Sequence, residues 1–198
     1  MKVITVAHQK GGVGKTTLAL NLSFLFKDTL KVGILDTDLQ GSVVGLGELL
    51  EGITLLPQEV LTTGNVPDLD ILIIDTPPYL TDQLSTLFEI SDFVLVPTKV
   101  SYLDVMAIKS TIALIAEAQK QNPVMKAGIV LNMVKHRTSV NADIKKILDS
   151  YPIPTLKTKI MERVSYIRSV VANGVGNIED EKAREEMMLL AEEVVGQL

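Results

Sequence analysis

The chain has 198 residues, 46% of them hydrophobic, and a net charge of −5, which suits one domain with a substantial core. It contains no cysteine, which excludes disulfides, thiolate metal sites and iron–sulfur clusters and favours a cytoplasmic protein. No segment approaches the roughly 20 apolar residues of a membrane span and no signal peptide is visible, so we expect no membrane partner.

Apolar runs alternate with helical patterns along the chain, which predicts a mostly parallel sheet flanked by helices. The predicted strands are 2–7, 31–36, 70–75, 93–97, 127–132 and a shorter one near 153–157. The predicted helices are 15–27, 41–50, 81–90, 102–121, 139–150, 162–172 and 179–197. The least periodic stretch, 51–69, is expected to hold a short strand at 53–56 and a short helix. Without repeats or linkers, we expect a single doubly wound α/β domain over residues 1–198.

The net charge changes along the chain. It is −6 over residues 1–100, +6 over 101–170 and −5 over 171–198. A basic segment in an otherwise acidic chain is typical of a surface for a polyanion. It is equally typical of solvated helix faces, and the composition alone leaves both interpretations open.

Residues 8–17, His-Gln-Lys-Gly-Gly-Val-Gly-Lys-Thr-Thr, join the first strand to the first helix and will be called the phosphate loop. A glycine-rich turn followed by lysine and a hydroxyl residue is typical of nucleotide triphosphate sites. Lys15 supplies a positive charge for the β- and γ-phosphates, and the Thr16 hydroxyl suits Mg²⁺. The residues that let backbone N–H groups approach the phosphates are Gly11, Gly12 and Gly14. A second lysine, Lys10, stands where an ordinary phosphate loop needs no charge.

Three acidic residues follow predicted strands, where open α/β sheets bind their ligands. Asp36 and Asp38 end one apolar run, and Asp75 ends another. Carboxylates at these positions suit water-mediated binding of Mg²⁺ beside the phosphates. A single such aspartate could equally cap a turn. Three of them beside a phosphate loop favour a nucleotide site and a P-loop NTPase fold.

Three motifs resemble those of the ParA/MinD family of ATPases. Residues 10–17, Lys-Gly-Gly-Val-Gly-Lys-Thr-Thr, resemble the family's deviant Walker A motif. Residues 35–42 resemble its D-x-D-P-Q-G-[SN] segment, with Leu39 in place of proline, and residues 73–78 match its D-x-P-P segment. Gln9 replaces the first glycine of the strict loop pattern, which is common in ParA-type members. The resemblance therefore favours the ParA branch.

The resemblance also implies roles for individual residues. It implies ATP and Mg²⁺ as cofactors, with the metal held by Thr16 and, through water, by Asp36 and Asp75. The residues that it implies for nucleotide binding are Gly11, Gly12, Val13, Gly14, Lys15, Thr16 and Thr17, with Asn132 at the adenine. The implied catalytic residues are Lys15, Asp38 at the attacking water, and Lys10, which in this family crosses to the nucleotide of a partner subunit.

At the level of function, the resemblance implies a small ParA-type partition ATPase. Such a protein forms a homodimer in its ATP state, binds DNA without sequence preference, and hydrolyses ATP on stimulation by a ParB-like centromere-binding adaptor. It would segregate or position plasmid or chromosomal DNA and associate with the nucleoid. The basic residues expected to follow DNA phosphates are Lys135, Arg137, Lys145, Lys146, Lys157, Lys159, Arg163 and Arg168.

Three alternatives remain. A MinD-like regulator of cell division would need a basic amphipathic C-terminal helix, whereas the helix predicted at 179–197 is acidic. A metabolic ligase of the dethiobiotin synthetase type would need a small-substrate pocket beside the γ-phosphate. A nucleotide switch that scarcely hydrolyses ATP would carry the same loop. Comparing ATP turnover with and without DNA distinguishes these functions.

Overall fold

In the computed structural model, which describes residues 1–38, 41, 43–136 and 142–198, seven parallel strands form one sheet. Its strand order is β3-β2-β4-β1-β5-β6-β7. The strands are β1 (Lys2–Val6), β2 (Val32–Asp36), β3 (Ile53–Leu56), β4 (Ile71–Asp75), β5 (Phe93–Thr98), β6 (Lys126–Val134) and β7 (Thr155–Met161). The predicted α/β class and parallel sheet are confirmed.

Helices cover both faces of this sheet. They are α1 (Lys15–Phe26), α2 (Val60–Thr63), α3 (Gln83–Glu89), α4 (Tyr102–Ala107), α5 (Lys109–Gln121), α6 (Ala142–Asp149), α7 (Val164–Arg168) and α8 (Glu181–Val195). Two 3₁₀ helices span Val44–Leu49 and Val175–Asn177. Within the described ranges, no helix combines the length and apolar character needed to cross a membrane.

The two hydrophobic layers can be seen along β4, where successive side chains alternate between them. Ile71 and Ile73 pack in the layer that holds α1 and α8. Leu72 and Ile74 pack in the opposite layer, with α3 and α5. Because both faces are covered, the strand is a continuous apolar run, and its position was predictable from the sequence.

Two of the predicted helices differ from the structure, one because it is divided in two and the other because it is a 3₁₀ helix. The helix predicted over 102–121 is divided at Ile108 into α4 and α5. The helix predicted over 41–50 is a 3₁₀ helix, in a stretch where Gly45 and Gly47 weaken an α-helix.

The region around β7 also differs from its prediction. The strand begins and ends later than the predicted 153–157, because it is an edge strand whose exposed Lys157 and Lys159 interrupt the apolar run. The helix predicted over 162–172 is confined to α7. The chain beyond it enters Asn173 and Gly174, which both have positive φ angles.

The carboxyl ends of β1, β2 and β4 meet at one edge of the sheet. In the parallel register, Val6 lies beside Asp75, and Asp75 lies beside Asp36. The phosphate loop leaves β1 at this edge, so the fold brings the loop and two of the predicted carboxylates together.

Candidate nucleotide-binding site

The backbone of the phosphate loop takes a conformation that favours glycine at two positions. Gly12 and Gly14 have φ angles of 70° and 90°. A Cβ atom on Gly14 would lie 2.3 Å from Nδ2 of Asn132, so no larger residue fits there without displacing that side chain. Gly14 is also the N-cap of α1 and no side chain caps the helix there, which suits binding of a phosphate by the backbone N–H groups of the first turn.

A cavity of about 240 Å³ opens in front of this loop. Its lining residues are Gly12, Gly14, Lys15, Thr16, Thr17 and Met133. The Lys15 side chain is buried, and its Nζ donates to the carbonyl of Lys10 over 3.3 Å. Burial lowers the pKa of Lys15, while the charges of Asp75 and Asp38 oppose that shift. A buried ammonium beside a glycine cradle is suited to an anionic phosphate.

Asp75 is a buried carboxylate with an unused oxygen. Its Oδ2 accepts the Thr16 hydroxyl over 2.5 Å, whereas Oδ1 has no hydrogen-bond partner among the described residues. Burial raises the pKa of Asp75 to about 7; the Thr16 hydrogen bond opposes this rise and the charge of Asp36 adds to it. These features fit a cation beside the carboxylate.

A Mg²⁺ ion here would depend on the nucleotide and water for most of its ligands. The described part of the chain holds no group of three or more His, Asp or Glu residues able to enclose a metal. Mg²⁺ is ordinarily held by one or two protein groups together with phosphate oxygens and water. The Thr16–Asp75 pair therefore supplies the protein's share of such a site.

Asp36 supports the loop that follows β2, a role that the sequence did not reveal. Its Oδ1 accepts the backbone N–H of Asp38 over 2.9 Å, and its Oδ2 accepts that of Val43 over 2.8 Å. Each oxygen thus accepts one backbone N–H, and the charge of Asp36 lies close enough to Asp75 to contribute to the raised pKa of Asp75. Asp38 is half-buried. Leu39 and Gln40 lie outside the described residues.

Asn132, the predicted adenine contact, binds the phosphate loop in this structure. The Asn132 side chain is buried, and its Nδ2 donates to the carbonyl of Val13 over 2.7 Å. The same amide packs where Gly14 has no side chain. Asn132, near the end of β6, therefore holds the phosphate loop through its amide nitrogen, and its contact with adenine stays a prediction.

A second cavity, of about 110 Å³ and mainly apolar, shares Thr17 and Met133 with the first. The sequence did not predict it, because its walls come from the ends of β6 and β7 and from α7. Its lining residues are Thr17, Leu18, Asn132, Met133, Ile160, Met161, Glu162, Arg163, Tyr166 and Ile167. Its position beside the phosphate loop suits the base of a bound nucleotide.

Lys10 is engaged within its own subunit. Its Nζ donates to Oδ1 of Asp104, at the start of α4, and its backbone N–H donates to Nδ1 of His8 over 2.8 Å. His8 is buried, and burial first and the charge of Lys15 second lower its pKa to about 4. Neither His8 nor Asp104 was predicted to have a role. The Ser101-x-x-Asp104 spacing, which resembles a helix N-cap, was the available signal for the latter.

The predicted DNA-contacting residues lie on several different elements. Lys145 and Lys146 lie on α6, Lys157 and Lys159 on the edge strand β7, and Arg168 at the end of α7. Lys135 is exposed after β6, and Arg137 lies outside the described residues.

Arg163 is a correction to this set. Its guanidinium pairs with Glu186 over 2.6 Å, with Asp180 3.9 Å away, and the Arg163 side chain is only 18% exposed. The arginine therefore joins β7 and α7 to α8, and we withdraw it from the predicted DNA surface.

Comparisons with known proteins agree with this geometry. Residues 4–175 match the profile of a family described as the CobQ/CobB/MinD/ParA nucleotide binding domain. The "Maintenance of carboxysome distribution protein A" of Halothiobacillus neapolitanus is 32% identical over 184 residues, covering 87% of this chain and 84% of that protein. Protein ParA of Rhizobium radiobacter is 28% identical over 204 residues, covering 96% and 91%.

Among solved structures, an ATP complex of a Cyanothece McdA variant has a similar fold. The TM-score is 0.77 at 19% identity, over 99% of this chain and 96% of that one. At this identity the similarity concerns the fold, and it confirms the doubly wound P-loop architecture.

Proposed function

Because this chain belongs to the CobQ/CobB/MinD/ParA nucleotide-binding family, we propose that it is a ParA-type ATPase that hydrolyses ATP to ADP and phosphate with Mg²⁺. The observation that carries the proposal is the pairing of Thr16 with Asp75 beside the glycine cradle and Lys15. It joins a phosphate-binding loop to a buried carboxylate, one oxygen of which has no partner among the residues that the structure describes. A phosphate-binding loop alone would support only nucleotide binding.

In this proposal each residue has a defined task. The loop N–H groups and Lys15 bind the phosphates, and the apolar cavity beside Thr17 holds the base. Thr16 and Asp75 hold the metal, which when bound neutralises charge that develops on the phosphates. Asp38 orients the attacking water.

The working unit that we propose is a homodimer formed in the ATP state, in which Lys10 reaches the nucleotide of the second copy. The surface around Lys10 supports this. Exposed apolar side chains flank the loop: Tyr79 and Leu80 follow Pro78, which packs 3.8 Å from the position of a Cβ on Gly11. Tyr102 and Leu103 are exposed on the helix that carries Asp104. Apolar surface grouped around a cationic loop is suited to a protein contact.

The cargo is proposed to be DNA or an assembly that travels on it. The exposed basic residues around β6, α6 and β7 would bind DNA phosphates without reading sequence, and a ParB-like centromere-binding adaptor would stimulate hydrolysis. We therefore propose that the protein acts at the nucleoid in the cytoplasm. The similarity to a protein named for the distribution of carboxysomes favours a second candidate cargo, a large protein assembly, with the same ATPase cycle.

A MinD-like role on membranes receives less support. One apolar face of α8 is used in the core, where Ala183, Met187, Leu190 and Val194 are buried, although Met188, Leu189 and Val195 are exposed. Several of the remaining positions of α8 are glutamates, which anionic lipid would repel.

The test is ATP turnover and DNA binding by the purified chain. We expect Mg²⁺-dependent hydrolysis that Lys15→Ala abolishes, and binding to random-sequence duplex DNA at low salt with ATP but not ADP. A protein with neither activity would contradict the proposal. Turnover that requires a small carboxylate or amine substrate, and is indifferent to DNA, would favour the ligase alternative.

A further inference from the structure

Asp104 is the partner that holds Lys10 inside its own subunit. The two residues are far apart in sequence, and their side chains differ in exposure: 9% for Asp104 and 46% for Lys10. The carboxylate is thus fixed in the protein, whereas the long lysine side chain reaches it from the solvent side. An exposed flexible cation on a fixed anion can leave without disturbing the packing around that anion.

The surroundings of Asp104 allow Lys10 to depart. The Ser101 hydroxyl donates to the other carboxylate oxygen of Asp104 over 2.5 Å, and the Asp104 backbone N–H donates back to Ser101 over 3.1 Å. The charge of Lys99 also acts on this carboxylate. Asp104 would therefore keep a hydrogen bond and a nearby positive charge after losing Lys10, and would not become an unpaired buried anion.

The backbone of Lys10 is fixed more firmly than its side chain. Its N–H is bound by buried His8, and its carbonyl accepts from Lys15. These contacts hold the backbone of Lys10 at the start of the phosphate loop. Rotation of the Lys10 side chain is then sufficient to move its ammonium group from one partner to another. One ammonium group then serves either Asp104 or an acceptor outside the subunit.

We propose that Asp104 is a positioning residue that retains Lys10 in the monomer, competes with the second copy's phosphates for it, and so sets how readily ATP drives dimerisation. This rests on the proposed function, in which Lys10 acts across a dimer. The ion pair raises the threshold for assembly, since each subunit must give up the contact before its lysine engages the other. It thereby limits hydrolysis by subunits that meet by chance.

The test is the Asp104→Asn variant, which keeps the shape of the side chain and can accept from Ser101 but lacks the charge. We expect its dimer dissociation constant, measured by sedimentation with MgAMPPNP, to be about 3- to 10-fold lower than that of the unmodified protein, consistent with one half-exposed ion pair per subunit. Basal ATP turnover at a fixed low protein concentration should rise as well. An unchanged or higher dissociation constant would overturn the proposal.

Control variants separate this role from general effects. Asp149→Asn removes an exposed carboxylate that pairs with Lys145, and should leave dimerisation unchanged. Asp104→Glu retains the charge and should resemble the unmodified protein. If Asp104→Asn fails to fold, Asp104→Ser provides the same comparison. In a Lys10→Ala background, Asp104→Asn should have no further effect, whereas a purely structural role would persist there.

The outcomes also distinguish this inference from the proposed function. If Lys10→Ala itself leaves dimerisation and turnover unchanged, the proposed dimer mechanism fails. If Lys10→Ala abolishes both but Asp104→Asn behaves like the unmodified protein, only the role of Asp104 fails.

Discussion

The Thr16 hydroxyl donates to Asp75 over 2.5 Å and so joins the first turn of α1 to the end of β4. Because the second Asp75 oxygen is buried without a partner in the described structure, the pair is complete only when a cation or water is added. This contact connects phosphate binding to the proposed metal site.

Asp75→Asn should separate activity from stability. We expect turnover to fall at least about 100-fold, because the neutral amide no longer holds the metal's water. Burial raises the pKa of Asp75 from 3.8 to about 7, so the ionised carboxylate destabilises the folded state at pH 8. Without Mg²⁺ at pH 8, the variant should therefore have the higher free energy of unfolding in urea. Asp82→Asn, an exposed change on the surface, should alter neither quantity.

His8 should make stability depend on pH between about 4 and 6.5. Its pKa is lowered to about 4 by burial and by Lys15 and Lys10, against the opposing charge of Asp104. Between pH 6.5 and 4, His8 is therefore protonated in the unfolded chain but neutral in the folded protein. Protonation favours the unfolded chain, so the free energy of unfolding falls as the pH falls from 6.5 to 4. His8→Asn should lose less stability than the unmodified protein between pH 7.5 and 4.5. Equal losses in urea titrations would contradict this assignment.

Gly14→Ala should destabilise the phosphate loop by about 1–3 kcal/mol, because the positive φ disfavours a side chain and the Cβ would displace Asn132. The hydrogen bond from Asn132 to Val13 would be lost with it, and ATP affinity should fall. Gly45→Ala is the matched control, since a Cβ there meets no atom of the described residues within 4 Å. Similar melting curves and ATP titrations for the two variants would be inconsistent with this account.

Arg163→Ala should affect stability and spare DNA binding. The pair with Glu186 is largely shielded from solvent, so its loss should cost about 1–3 kcal/mol of unfolding free energy. Lys146→Ala should have the opposite profile, with unchanged stability and a lower affinity for random-sequence DNA that also depends less on salt. If Arg163→Ala weakened DNA binding without loss of stability, its withdrawal from the DNA surface would be wrong.

The sequence predicts best what depends on neighbours in the chain. The strands β1, β2, β4 and β5 are nearly continuous apolar runs that are buried on both faces. The glycines and lysines of the phosphate loop lie within one short stretch of the sequence. The edge strand β7 was misplaced because its exposed lysines interrupt the apolar run, which is the ordinary signal for a half-solvated strand.

Contacts between distant segments were not predictable in the same way. The pairing of Lys10 with Asp104 and that of Asn132 with Val13 each join residues far apart in sequence, through the order in which the strands are assembled. The sequence alone does not show whether a polar residue at the end of a strand contacts a ligand or the protein's own backbone. The contact of Asn132 with Val13 was therefore not foreseen, and its assignment to adenine stays a prediction.

The central claim is that Lys10 acts on the nucleotide of the second copy. Mixing Lys10→Ala with Asp38→Ala tests it most directly, because a mixed dimer unites an intact water-orienting site on one subunit with an intact Lys10 on the other. Each variant alone should hydrolyse ATP very slowly, and the mixture should regain turnover well above the sum of the two. A mixture no more active than that sum, under conditions where mixed dimers form, would contradict the account.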